Sequence, residues 1–92
     1  MRWTKEEKET FVTAIEKWGT ALQWLMVWEE TAELGVKVAQ MLRGREVAPE
    51  DLAEEIADVL IMMGQAMHMI DPREVEIAYY AKLRRLQERL LK

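Results

Sequence analysis

The sequence contains no cysteine, no serine and no asparagine among its 92 residues. Their absence removes disulfide frameworks, thiolate metal sites and both Ser and Cys nucleophiles, so covalent catalysis through such groups is excluded. Glycine is scarce: Gly19, Gly35, Gly44 and Gly64 each stand alone, and neither a glycine-rich phosphate loop nor a dinucleotide fingerprint is present. The two prolines, Pro49 and Pro72, occupy positions where helices start. Long apolar runs are also missing. The longest apolar-dominated stretch, residues 59–70, is interrupted by Gly64, Gln65 and His68 and falls short of the ~20 residues a bilayer requires, which points to a buried helix and no membrane partner. Positive charge is in deficit, with thirteen bases against seventeen acids, a net −4 that disfavours nucleic-acid binding by counterion release. Met1-Arg2-Trp3-Thr4 leads directly into Lys and Glu with no apolar segment of a signal peptide, so a cytoplasmic location is expected.

What is present in quantity is apolar surface. Half of the residues are hydrophobic, whereas a chain of this size buries only roughly 60–65% of its unfolded surface when it folds alone. The imbalance predicts a homo-oligomer, a homodimer or homotetramer, in which copies cover one another. No linker, repeat or low-complexity tract divides the chain, which reads as one domain over residues 1–92.

Four helices follow from their start signals. Thr4 with Glu7 forms a capping box, and Phe11, Ile15 and Trp18 recur at helical spacing up to Gly19. Thr20 with Gln23 reads as a second box opening a long helix that ends near Gly44. Pro49, Glu50 and Asp51 open a third helix expected to run to about Ile70, and Asp71-Pro72 caps a fourth whose stripe is Val75, Tyr79, Leu83, Leu86 and Leu90. No stretch alternates with period two, so the fold class is all-α, a four-helix bundle completed by oligomerisation.

Two acidic motifs of the same form lie in otherwise apolar helices: Glu29-Glu30-Thr31-Ala32-Glu33 and Glu54-Glu55-Ile56-Ala57-Asp58. At about 100° per residue, Glu30 and Glu33 share one face of the second helix and Glu55 and Asp58 one face of the third. A short connection makes these helices antiparallel neighbours, so four carboxylates can converge. Two such anions ~6 Å apart repel by about 3 kcal/mol at an effective dielectric of 20, so a cation is needed, and oxygen-only ligation selects Mg²⁺ or Mn²⁺ over zinc. A single pair of this kind is usually no more than a solvated helix face; two matched pairs on apolar helices call for a reason.

EExxE followed about twenty residues later by ExxD in a short all-α chain resembles the MazG-like nucleotide pyrophosphohydrolases. The stretches EKWGTALQWLMVWEETAEL, LRGRE and LAEEIADVLIM look like the compact single-domain branch of that family, and KLRRLQERL resembles its last helix. The resemblance implies Mg²⁺-dependent hydrolysis of a nucleoside triphosphate to the monophosphate and pyrophosphate, a house-cleaning reaction. By position it makes Glu30, Glu33, Glu55 and Asp58 the metal ligands, with Glu29 or Glu54 orienting the attacking water or accepting its proton. Lys82, where the family often has a lysine, and Arg85 would meet the phosphates; an asparagine that the family often supplies nearby is replaced by Leu86 and Gln87. The related phosphoribosyl-ATP pyrophosphohydrolases usually follow ExxD with Tyr-His, whereas Asp58 here leads into Val59-Leu60. A non-catalytic nucleotide- or metal-binding dimer, or a regulatory partner protein, is the alternative from another class.

The remaining polar residues divide between two readings each. Lys37, one turn beyond Glu33, is a phosphate contact or an ion-pair partner of Glu33. Gln23 lies within ~20° of Glu30 and is either a substrate contact or, the favoured reading, the cap partner of Thr20. Trp24 and Trp28 are either base-stacking platforms or, more commonly for aromatics at helical spacing, core or interface. His68, the only histidine, lies behind the acidic face and is not expected to act in catalysis. Leu60, Ile61, Met63 and Met67 are the expected subunit interface.

Overall fold

A computed structural model describes residues 3–92. It is all-helical, with α1 spanning Lys5–Trp18, α2 Thr20–Leu42, α3 Pro49–Ala66 and α4 Pro72–Leu90. The Thr4 capping box forms as the sequence suggests: the Thr4 hydroxyl accepts from the Glu7 N–H at 3.0 Å and Glu7 accepts from the Thr4 N–H at 2.8 Å. Asp71 likewise caps α4 by accepting from the Arg73 N–H at 3.0 Å.

The second capping box does not form. Gly19 alone joins α1 to α2: its N–H closes α1 on the Ile15 carbonyl, its own carbonyl opens α2 by accepting from the Gln23 N–H, and no side chain caps the start. A single residue serving both helices at φ +88° must be glycine, and Thr20 is already helical, so its hydroxyl is not a cap. Gln23 is thereby released from the capping role that its spacing from Thr20 suggests. At the other end of α2, Gly44 at φ +81° turns the chain and its N–H returns to Met41.

Helix α3 is shorter than expected, ending at Ala66 and not near Ile70. The Gly64 carbonyl, which would accept from the His68 N–H if the helix continued, instead meets the His68 ring Nδ1 at 2.8 Å, and the ladder breaks there. Tight bonds from the N–H groups of His68 and Met69 to Gln65 and Ala66 make the exit.

Helices α2 and α3 form the principal pair and α1 crosses both, whereas the α4 backbone comes close to none of them and only its first turns share a pocket with Trp3 and Lys8. The core lies where α1 meets the C-terminal half of α3 and consists of Phe11, Met62 and Met67. Phe11 stacks edge-on against Trp3 at 5.3 Å and reaches α3 over Gly64, where a Cβ would collide with its ring. Met67, expected at a subunit interface, is instead buried within the chain, in the turn after Ala66, where it shares a pocket with Trp3 and with Lys8 of α1. Leu60 and Ile61 remain half exposed, as do Tyr79 and Leu86 on α4, while Trp28 and Leu90 are more exposed still. No helix among the described residues is long and apolar enough to cross a membrane.

Candidate metal centre

The antiparallel pairing of α2 and α3 brings Glu30 opposite Glu55 and Asp58. One carboxylate oxygen from each lies within 4.8 Å of the others. Both helices are continuous through these positions, so each acid projects from a regular backbone. Glu30 and Glu55 are half-buried in the seam, while Asp58 and Glu33 sit at its open edge. The Oε2 atoms of Glu30 and of Glu55 are shut off from solvent and have no hydrogen-bond partner.

Burial is the largest cause holding the Glu30 carboxyl above its ordinary value of 4.5; the charges of Glu33, Asp58 and Glu55, and then a side-chain hydrogen bond with Glu33, push in the same direction. A proton is one remedy for anions crowded in this way; a divalent cation is another. The donor set fits a hard cation. It is all oxygen, the three atoms span about what lies across one coordination sphere of Mg²⁺ or Mn²⁺, and two of the carboxylates keep an inward oxygen that nothing in the chain satisfies.

The other residues singled out in the sequence fall in different places. Glu33 is beside Glu30 but outside the close triad, coupled to it by charge and hydrogen bonding. Glu29 and Glu54 are exposed and also outside the triad. Lys37 is half-buried and makes no ion pair with Glu33; the ion pairs among the described residues that are resolved in detail are Lys5–Glu9 and Arg73–Asp71. Lys82 lines a shallow cleft with Ile70, Val75 and Tyr79, away from the carboxylates, and Arg85 is exposed on the same helix. His68 holds the C-terminal turn of α3, with Nδ1 2.8 Å from the Gly64 carbonyl and its ring tilted against Phe11. Trp24 and Trp28 are exposed on flanks of α2 turned away from the acids.

Gln23 is the surprise of the set. It is only 4% exposed, two turns from Glu30 in the same seam, and lines one pocket with Gln65 of α3, a residue the sequence pattern does not single out. The signal was present: Gln23 precedes Glu30 by seven residues and Gln65 follows Asp58 by seven, a mirror relation that antiparallel helices convert into proximity.

No family model matches the chain, and no curated protein or solved structure matches it significantly.

Proposed function

We propose that the protein is a Mg²⁺-dependent nucleotide pyrophosphohydrolase of MazG-like type that converts nucleoside triphosphates to monophosphates and pyrophosphate, with Mn²⁺ as a possible substitute. The observation that carries this reading is the convergence of Glu30, Glu55 and Asp58 within 4.8 Å on two helices, with buried, unpartnered oxygens on Glu30 and Glu55. Acids in such a setting destabilise the empty fold, and a site that binds a cation accounts for that cost.

Glu30, Glu55 and Asp58 would hold the metal, and Glu33 would complete the set from the edge of the seam. When bound, the metal offsets the charge of the triphosphate and makes the attacking water more acidic. Glu29 or Glu54, both exposed, orients that water or accepts its proton as the phosphoanhydride bond breaks and pyrophosphate leaves. No nucleophilic side chain is required, in keeping with a chain without Ser or Cys. Lys37, half-buried and unpaired beyond the acids, contacts phosphate oxygens from within the chain. Lys82 and Arg85 take part only by reaching a neighbouring subunit's nucleotide, since α4 leaves its own α2–α3 seam untouched.

This reading includes assembly into a homodimer or homotetramer, supported by α4, whose backbone approaches no other helix, and by the half-exposed Leu60 and Ile61. The decisive test is pyrophosphate release from a panel of nucleoside triphosphates with Mg²⁺, using wild type and Asp58→Asn. Wild type should turn over at least one member. The variant, which loses one anionic ligand at constant side-chain volume, should retain less than a tenth of that rate at unchanged helix content; higher retention counts against the site.

A further inference from the structure

Two turns along the α2–α3 seam from the carboxylates, a distance of about 10.5 Å, the helices part around a pocket of 310 Å³ lined by Trp18, Leu22, Gln23, Met26, Met62 and Gln65. Its volume lies at the lower end of the ~300–1,000 Å³ typical of small-molecule sites. Its lining is apolar except for two buried amides. Gln23 is 4% exposed and Gln65 7% exposed, the most deeply buried polar side chains among the described residues.

Neither amide is explained by the fold. Gln23 has no capping role, since α2 starts without a side-chain cap. The Gln65 Oε1 atom is shut off from solvent and has no hydrogen-bond partner. Buried amides are ordinarily satisfied, because an unpaired acceptor forfeits the hydrogen bonds it made to water. Two buried glutamines lining one apolar recess, one with an orphaned oxygen, offer polar groups to a partner that enters the recess.

We propose that this pocket receives the heterocyclic base of the nucleotide, with Gln23 and Gln65 forming hydrogen bonds to its edge and Trp18 lying against it. The proposal rests on the pyrophosphohydrolase reading for the identity of the ligand. A primary amide presents one acceptor and an NH₂ donor group side by side, so two amides match a planar ring whose edge alternates donors and acceptors. Apolar walls from Leu22, Met26 and Met62 suit the ring faces, and the methionines can adjust to its shape. Trp18 is 53% exposed, with the Lys17 ammonium 5.3 Å from its ring, and supplies an aromatic border at the mouth. The distance between amides and acids leaves the sugar and the first phosphate to bridge them along the seam. Gln23 and Gln65 are thus specificity-determining residues, and the carboxylates act on whatever nucleotide they admit.

The test uses the full-length protein without divalent cation and four common nucleoside 5′-monophosphates as probes, observed through the glutamine side-chain amide resonances in nitrogen-15 spectra. At least one nucleotide should shift the Gln23 and Gln65 signals, and Gln65→Leu should weaken its binding at least tenfold while flattening the preference among bases. Gln23→Leu provides a second variant if the first loses helix content. If no nucleotide moves either signal in the wild type, or if a folded variant keeps the wild-type preference, the proposal is overturned. Contact of these amides with a second copy of the chain, seen as intermolecular cross-peaks, overturns it equally. Base binding without any pyrophosphate release would retain the pocket and remove the proposed reaction; release without shifts would do the reverse.

Discussion

Glu30 concentrates the electrostatic strain of the molecule. Burial and three neighbouring acids hold its carboxyl above 4.5, so the native chain keeps this proton to higher pH than the unfolded chain. Its contribution to stability is therefore complete below about pH 4.5 and is lost as pH rises through the raised value. Thermal melts in chelator should show the wild type losing more stability than Glu30→Gln between pH 4.5 and neutrality; parallel curves would mean that the cluster carries no such strain. A cation bound at the cluster would relieve the same repulsion and stabilise by mass action, by about 2.7 kcal/mol at a hundredfold excess over Kd. Millimolar Mg²⁺ should accordingly raise the Tm of wild type more than that of Glu55→Gln, and equal shifts would show that the metal is held elsewhere. Glu30, Glu55 and Asp58 were legible as a group from spacing because two i,i+3 pairs on adjacent helices have few ways to miss one another. Gln65 was less so: its spacing from Asp58 mirrors that of Gln23 from Glu30, but a glutamine on a helix is ordinarily a surface residue and packing alone shows this one to be buried.

The helices differ in how much of their boundaries local chemistry decides. Thr4 and Asp71 cap α1 and α4 with hydrogen bonds that their sequences announce. At Thr20 the same kind of signal misled, since the connection to α1 is one residue long and leaves no room for an extended cap. The approach of α1 to α3 depends on Gly64. Gly64→Ala would drive a methyl into the Phe11 ring, which is itself confined by Trp3, and overpacking of this kind costs about 1–3 kcal/mol. Gly35, in α2, has open space where its Cβ would stand, so Gly35→Ala should instead stabilise by roughly 0.5–1 kcal/mol through helix propensity. Chemical denaturation of the two variants measures both; the same sign for each would contradict this packing.

Taken whole, the chain is open. Its Cα radius of gyration is 15.7 Å against about 12 Å for a compact chain of this length. Its accessible surface is 7447 Å², whereas a compact monomer of 10.8 kDa exposes about 5,500 Å². The excess, roughly 1,900 Å² per chain, is the scale on which obligate subunits cover one another. No side chain among the described residues is completely buried, so the isolated chain lacks most of a core. Sedimentation at micromolar concentration should therefore show no folded 10.8 kDa species, and the denaturation midpoint should rise with protein concentration. Ile61→Lys, on the exposed side of α3, should dissociate the assembly and reduce helix content together. A stable folded monomer would sink the oligomeric reading.

Helix number, helix identity and the two acidic faces follow from the chain alone, because capping, proline placement and a 3.6-residue period act within a few residues of one another. The end of α3 at Ala66, the burial of Met67 and the fate of Gln23 do not, since each depends on what another segment leaves in place: the His68 ring between Phe11 and the Gly64 carbonyl, the crossing of α1, the one-residue turn at Gly19. The pairing of α2 with α3 turned two spacings of seven into one seam, with carboxylates at one level and amides two turns away. Local sequence specifies which face of a helix is acidic or apolar; only the packing of one helix against another specifies which of those groups lose water, and loss of water is what makes a carboxylate or an amide require a partner.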